Sequence, residues 1–188
     1  MRSFFALATA AAMIGAVAVH AAPPRPTDVL DTSFVAADGA RTLQESIDID
    51  APAAVLWKAF TDPAEYRRWN APVAAIDLRV GGSLEASYDP AKPLGDPDNI
   101  KHRIITFLPG RLIVFQNIQA PRALTGAEAF QRTVTVLEYQ PLDPARTRVT
   151  ISSTGWGSDP ASDRLYGFFK SGNAELLQKM KSVYGATR

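Results

Sequence analysis

Reactive side chains are scarce in this sequence, and that scarcity narrows the chemistry it can perform. There are two histidines and no cysteine in 188 residues. Without cysteine there is no disulfide, thiolate metal site, cysteine nucleophile or cysteine-linked lipid anchor. His20 falls in an N-terminal segment expected to be removed, so a Ser–His–Asp triad or a multi-histidine metal site would have to be built on His102 alone. We read His102 as a surface or strand-edge residue and expect no catalytic residue, metal or cofactor. Among the acids, Glu45 falls on the apolar parity of its segment. Glu85, between Leu84 and Ala86, is expected to face water, and Glu138 shares a face with Val134 and Val136. A carboxylate beside Arg79 or Arg103 could act as a base or orient a polar head group, although solvated or ion-paired strand carboxylates are the commoner outcome. Aromatic residues say more. Trp57, Phe60, Trp69, Tyr88, Phe115, Trp156, Phe168 and Phe169 are spread over every segment that could face a common interior. Each could be core, but together they suit the wall of a ligand cavity, typically about 300–1,000 Å³. With Ser153, Arg79, Arg103 and Glu138 as polar members, all of these but Phe169 form the candidate site.

The elements that must position these residues follow from periodicity. Thr42 to Asp50 alternates, with Leu43, Glu45, Ile47 and Ile49 on one face, and predicts a half-buried strand. Asp50-Ala51-Pro52 reads as a capped helix start, and Thr61-Asp62-Pro63 as a second, giving two short helices up to Trp69. Strands are predicted over residues 75–80 and 83–88, joined tightly by Gly81-Gly82. Further strands are predicted over 100–107, 111–117, 131–139 and 147–154, with loops over 89–99 and 120–129. Finally, Leu165, Phe168, Phe169, Gly172, Leu176, Met180, Val183 and Tyr184 make one continuous helical stripe of about six turns, started by Ser158 or Asp159 and Pro160. Gly167 and Gly172 each cost such a helix about 1 kcal/mol relative to Ala. On the buried stripe, Gly172 implies either a close backbone approach or room left open.

Ahead of this domain lie two segments of another kind. Arg2, an apolar run of about 16 residues from Phe4 to Val19, and the small residues around Ala21 form a secretory signal pattern. The run falls short of the roughly 20 residues that cross a bilayer, so cleavage near Ala21 and a periplasmic or secreted product are expected, with no integral membrane span remaining. Residues 22–40, with Pro23, Pro24 and Pro26, read as a stiff leader with one strand near Ser33–Ala36, and the domain occupies 41–188. With 20 Lys and Arg against 19 Asp and Glu, there is no field to attract nucleic acid or anionic lipid. The expected partner is a small apolar or amphipathic molecule.

The order of strand, two short helices, antiparallel strands and one long helix resembles the helix-grip architecture of START-like proteins. The run Ala51 to Pro63 closely resembles the opening motif of the SRPBCC superfamily, and the chain continues to resemble it at Trp69, Asp77–Gly82, Pro109 with Arg111-Leu112, Thr147–Ile151 and Gly155-Trp156. It looks most like the subgroup of heat-shock-protein-90 ATPase activator homologues. The resemblance implies an α+β fold: a curved antiparallel sheet of about six or seven strands around a long C-terminal helix, with two short helices after the first strand. It also implies three possible functions. One is an exported binder of a hydrophobic or amphipathic ligand between sheet and helix. The others are a cyclase- or hydratase-like enzyme using Glu138 or Tyr88, and a partner-binding role as in the chaperone activators. Two positions depart from the family pattern: Gly172 is followed by Asn173 rather than Trp, and Ser153 stands where many relatives carry a polar ring residue, often His.

Overall fold

A computed structural model describes residues 28–185; the expected signal peptide and the first leader residues lie outside that range. Two short leader strands, β1 (Leu30–Asp31) and β2 (Phe34–Val35), pair with β3 (Arg41–Ile49). Then come α1 (Ala53–Thr61), α2 (Pro63–Trp69), β4 (Val73–Ile76), β5 (Ser83–Ser87), β6 (Ile100–Leu108) and β7 (Leu112–Gln119). A short α3 (Ala127–Gln131), β8 (Val134–Asp143), β9 (Arg146–Trp156) and the long α4 (Pro160–Tyr184) complete the chain. The sheet is antiparallel in the order β1-β3-β9-β8-β7-β6-β5-β4, with β2 also on β3. It exceeds the expected six or seven strands because the leader contributes two of them.

Local chemistry explains most boundaries. Asp62 caps α2, its carboxylate accepting from the Ala64 and Glu65 amides at 2.8 and 3.2 Å. Asp159 does the same for α4, accepting from Ala161 and Ser162. The N-cap of α1 is Pro52 rather than the expected Asp50, and Pro52 supplies no side-chain cap. The Gly81-Gly82 link is also wider than a two-residue turn, because β4 ends at Ile76 and residues 77–82 form the connection. Both glycines are nonetheless required there. Gly81 has φ +77°, and a Cβ on Gly82 would overlap the Asp77 carbonyl oxygen. Helix α3, which overlaps the end of the expected 120–129 loop and the first residue of the expected 131–139 strand, is only five residues and too short to show a period.

Glu85 does not face water. It is 7% exposed because the 89–99 segment folds over it. Its carboxylate accepts from the Gly95 amide at 2.5 Å and Asn99 Nδ2 at 2.8 Å, and pairs with Lys101 at 3.1 Å. These donors hold its pKa below the ordinary value despite burial. Replacing Glu85 with Ala strands two donors under the loop, so urea denaturation should show a loss of roughly 2–4 kcal/mol. Limited proteolysis should then cut within 89–99; an unchanged midpoint would mean the loop holds itself.

The core is divided. One cluster gathers Ile47, Leu56, Phe60, Tyr66, Trp69, Ile104 and Val149 with Leu177 and Met180 of α4. The other joins Leu43, Phe130 and Trp156 to Leu165, near the start of that helix. Helix α4 is thus anchored at both ends, while Phe168 and Gly172 between them are exposed. The expected continuous buried stripe is interrupted where the helix stands away from the sheet.

Candidate functional site

Between the two core clusters, sheet and α4 enclose a cavity of about 410 Å³. Register decides which strand residues face it. On β8, Thr135, Leu137 and Tyr139 take the inner parity and are buried, which turns Glu138 outward. On β6, irregular pairing on either side of His102 and Ile104 bends the strand, and these two residues point inward with Phe115 of β7. Rings then follow one another around the wall. Phe168 meets Phe169 (centroids 5.2 Å apart), Phe169 meets Phe130 (4.2 Å), and Phe130 meets His102 (5.9 Å). His102 meets Phe115 (4.9 Å), Phe115 meets Phe60 (6.0 Å), and Phe60 meets Tyr66 (5.4 Å). Every one of these rings lines the cavity.

Of the residues proposed from sequence, Phe60, Tyr88, Phe115, Ser153 and Phe168 line this space. Tyr88 and Phe168 are 62% and 60% exposed, which puts them at its mouth. The other six lie elsewhere. Trp57 packs on Phe107 and Tyr139. Trp69 donates from Nε1 to the Ala59 carbonyl at 2.8 Å, tying the end of α2 to α1. Trp156 packs edge-on against Tyr166 in the second core cluster. Arg79 is exposed and pairs with Asp77 at 2.8 Å, Arg103 is exposed on the outer parity of β6, and Glu138 is exposed. Long charged chains on a sheet with one dry face go to the wet one.

His102 is the residue sequence reasoning misplaced. It is half-buried on a central strand, not at an edge: β6 is flanked by β5 and β7, and the ring sits between Phe115 and Phe130. Its Nδ1 is buried without a hydrogen-bond partner. Desolvation lowers its pKa to about 4, so the imidazole is neutral at physiological pH. Alternation of Ile104 with His102 was the available signal. Phe130 and Asn173 were also missed, the first on the unpredicted α3 and the second one position along from the stripe. Asn173 Nδ2 is likewise buried and unpaired. The Thr135 and Ser153 hydroxyls bond each other at 3.0 Å. Burial raises the pKa of Tyr66, with the Asn70 side chain opposing the shift, and both Tyr66 and the exposed Tyr88 are protonated phenols at neutral pH. At Gly172 an added Cβ would meet nothing within 4 Å, so this glycine leaves room and does not serve close packing. Among the described residues there is no group of three or more His, Cys, Asp or Glu that could hold a metal. No helix among them is long and apolar enough to cross a membrane.

Residues 50–185 match the family described as Activator of Hsp90 ATPase homolog 1-like protein. The chain belongs to this family. It is thereby a START-like protein of the SRPBCC type, as the helix-grip arrangement requires. No curated protein matches it in sequence. Solved structures share its fold at low identity. A protein of Mesorhizobium loti superposes with TM-score 0.59 at 22% identity, over 76% of this chain and 95% of that one. An HSP90 activator from Plasmodium falciparum gives 0.50 at 15%, over 73% and 95%. DynU16, from the dynemicin biosynthetic locus, gives 0.55 at 14%, over 75% and 46%.

Proposed function

We propose that this protein is an exported binding module that holds a small apolar or amphipathic molecule between its sheet and C-terminal helix, without catalysing a reaction. The cavity between two separate core clusters carries this reading. A helix whose buried residues fall toward its two ends, with an exposed glycine between them, leaves about 410 Å³ that a collapsed core would have filled. The signal pattern of residues 1–21 supports export, and a fusion of residues 1–40 to a reporter active only in the periplasm tests it. An inactive fusion would refute export.

Binding is tested with N-phenyl-1-naphthylamine, an uncharged dye that brightens in apolar surroundings. Its fluorescence should rise and saturate at one dye per chain. Failure of this dye and of a panel of neutral apolar compounds to saturate the protein would end the binder reading. A cyclase-like enzyme is the second reading, favoured by the two protonated phenols, Tyr66 and Tyr88, that share this space with a neutral imidazole. Turnover of a polyketone by the purified protein would favour it over simple binding. A partner role like that of the Plasmodium activator suits a cytosolic chaperone machine, and so stands against the export proposed here.

A further inference from the structure

The cavity wall restricts the charge of anything it holds. None of its lining residues is Asp, Glu, Lys or Arg. An ionised group entering it would give up hydration and meet no counter-ion, at a loss of about a hundredfold or more in affinity. The wall does contain polar groups with unmet capacity. The His102 imidazole packs against the Phe115 and Phe130 rings, and its Nδ1 is buried and unpaired. Asn173 Nδ2 is buried without an acceptor. Thr135 and Ser153 share a single hydrogen bond, which leaves one hydroxyl proton free to donate. Buried groups of this kind are costly unless something satisfies them. A neutral imidazole has one donor and one acceptor nitrogen, and a hydroxyl can serve either while its remaining lone pair accepts from a neighbouring donor. The arc of rings from Phe168 to Tyr66 supplies faces and edges for a flat, apolar body.

We infer that the molecule bound here is uncharged and ring-bearing, and that it carries a hydroxyl recognised by His102 and Asn173, while carboxylate and ammonium analogues are rejected. The inference rests on the cavity being a binding site, and the test separates the two. In competition against bound N-phenyl-1-naphthylamine at pH 7, three molecules of one shape are compared: naphthalene, 2-naphthol and 2-naphthoate. Naphthol should displace the dye about tenfold better than naphthalene, and naphthoate about a hundredfold less well than naphthol. In His102→Leu the naphthol advantage should disappear while naphthalene binds as before. Asn173→Leu should reduce the same advantage, and it serves if the histidine variant does not fold. Should the dye itself fail to bind, the site reading falls and takes this inference with it. If the dye binds but naphthoate competes as well as naphthol, charge exclusion alone is overturned. If naphthol is no better than naphthalene, recognition of the hydroxyl is overturned.

Discussion

Replacing Gly172 by Ala, Leu and Trp should separate stability from binding in opposite directions. Its missing Cβ points into open space, so none of the three meets an obstacle at the first atom. The position lies four residues from both Phe168 and Leu176, and all three line the cavity, so a side chain added there projects inward beside theirs. Helix propensity rises on leaving glycine, by about 1 kcal/mol for Ala and slightly less for Leu, and urea denaturation should show that gain. Affinity for N-phenyl-1-naphthylamine should follow volume instead. Ala should leave it nearly unchanged, Leu should weaken it, and Trp should weaken it by roughly ten- to a hundredfold, the usual penalty for overfilling a packed space. A fully binding Trp variant would place the bound molecule outside this cavity. A destabilised Ala variant would show that the glycine serves close packing after all.

The architecture was legible because its signals are long. Strand β3 announces itself by strict alternation, and α4 by a stripe sustained over many turns. The family motifs then fixed their arrangement. The site was less legible because facing depends on register, and register depends on pairing with distant segments. Glu138 looked inward beside Val134 and Val136, yet its whole parity turns out, since Thr135, Leu137 and Tyr139 take the buried face. Glu85 shows another limit. Its parity correctly excludes it from the concave side, but the strand itself cannot reveal that a separate loop will cover its outer face. The tryptophans misled for a simpler reason. A large ring fits equally well in a core or on a cavity wall, and only the spacing of α4 from the sheet distinguishes the two. For Gly172 the sequence left two alternatives, close approach or open room, and the three-dimensional surroundings select the second.

A flat dependence of stability on pH between about 4.5 and 6.5 is expected of the parent protein, because two desolvated groups oppose each other there. Glu45 is 3% exposed on the inner face of β3, with Oε2 unpaired. Burial first, and then the nearby Asp31 carboxylate, raise its pKa from 4.5 to about 7, against the pull of Lys170. Between those values the folded chain keeps a proton that the unfolded chain has lost, so Glu45 makes stability fall as pH rises. His102 behaves in the opposite sense. Desolvation lowers it from 6.5 to about 4, so the unfolded chain holds the proton and stability rises with pH across that window. Each shift corresponds to no more than about 3.4 kcal/mol. The depressed carboxylates Asp31 and Asp48 act below this range, losing their contribution only as pH falls under the usual carboxylate values. Glu45→Gln should therefore expose the histidine slope, with stability climbing from pH 4 to 6.5, and should exceed the parent at pH 8, where a buried carboxylate has been removed. His102→Leu should expose the glutamate slope, with stability declining from pH 4.5 to 7. The double variant should be flat again, because neither titration remains. Urea midpoints measured at half-unit steps would decide it: if both single variants keep the parent's profile, these two groups are not the ones that titrate on folding.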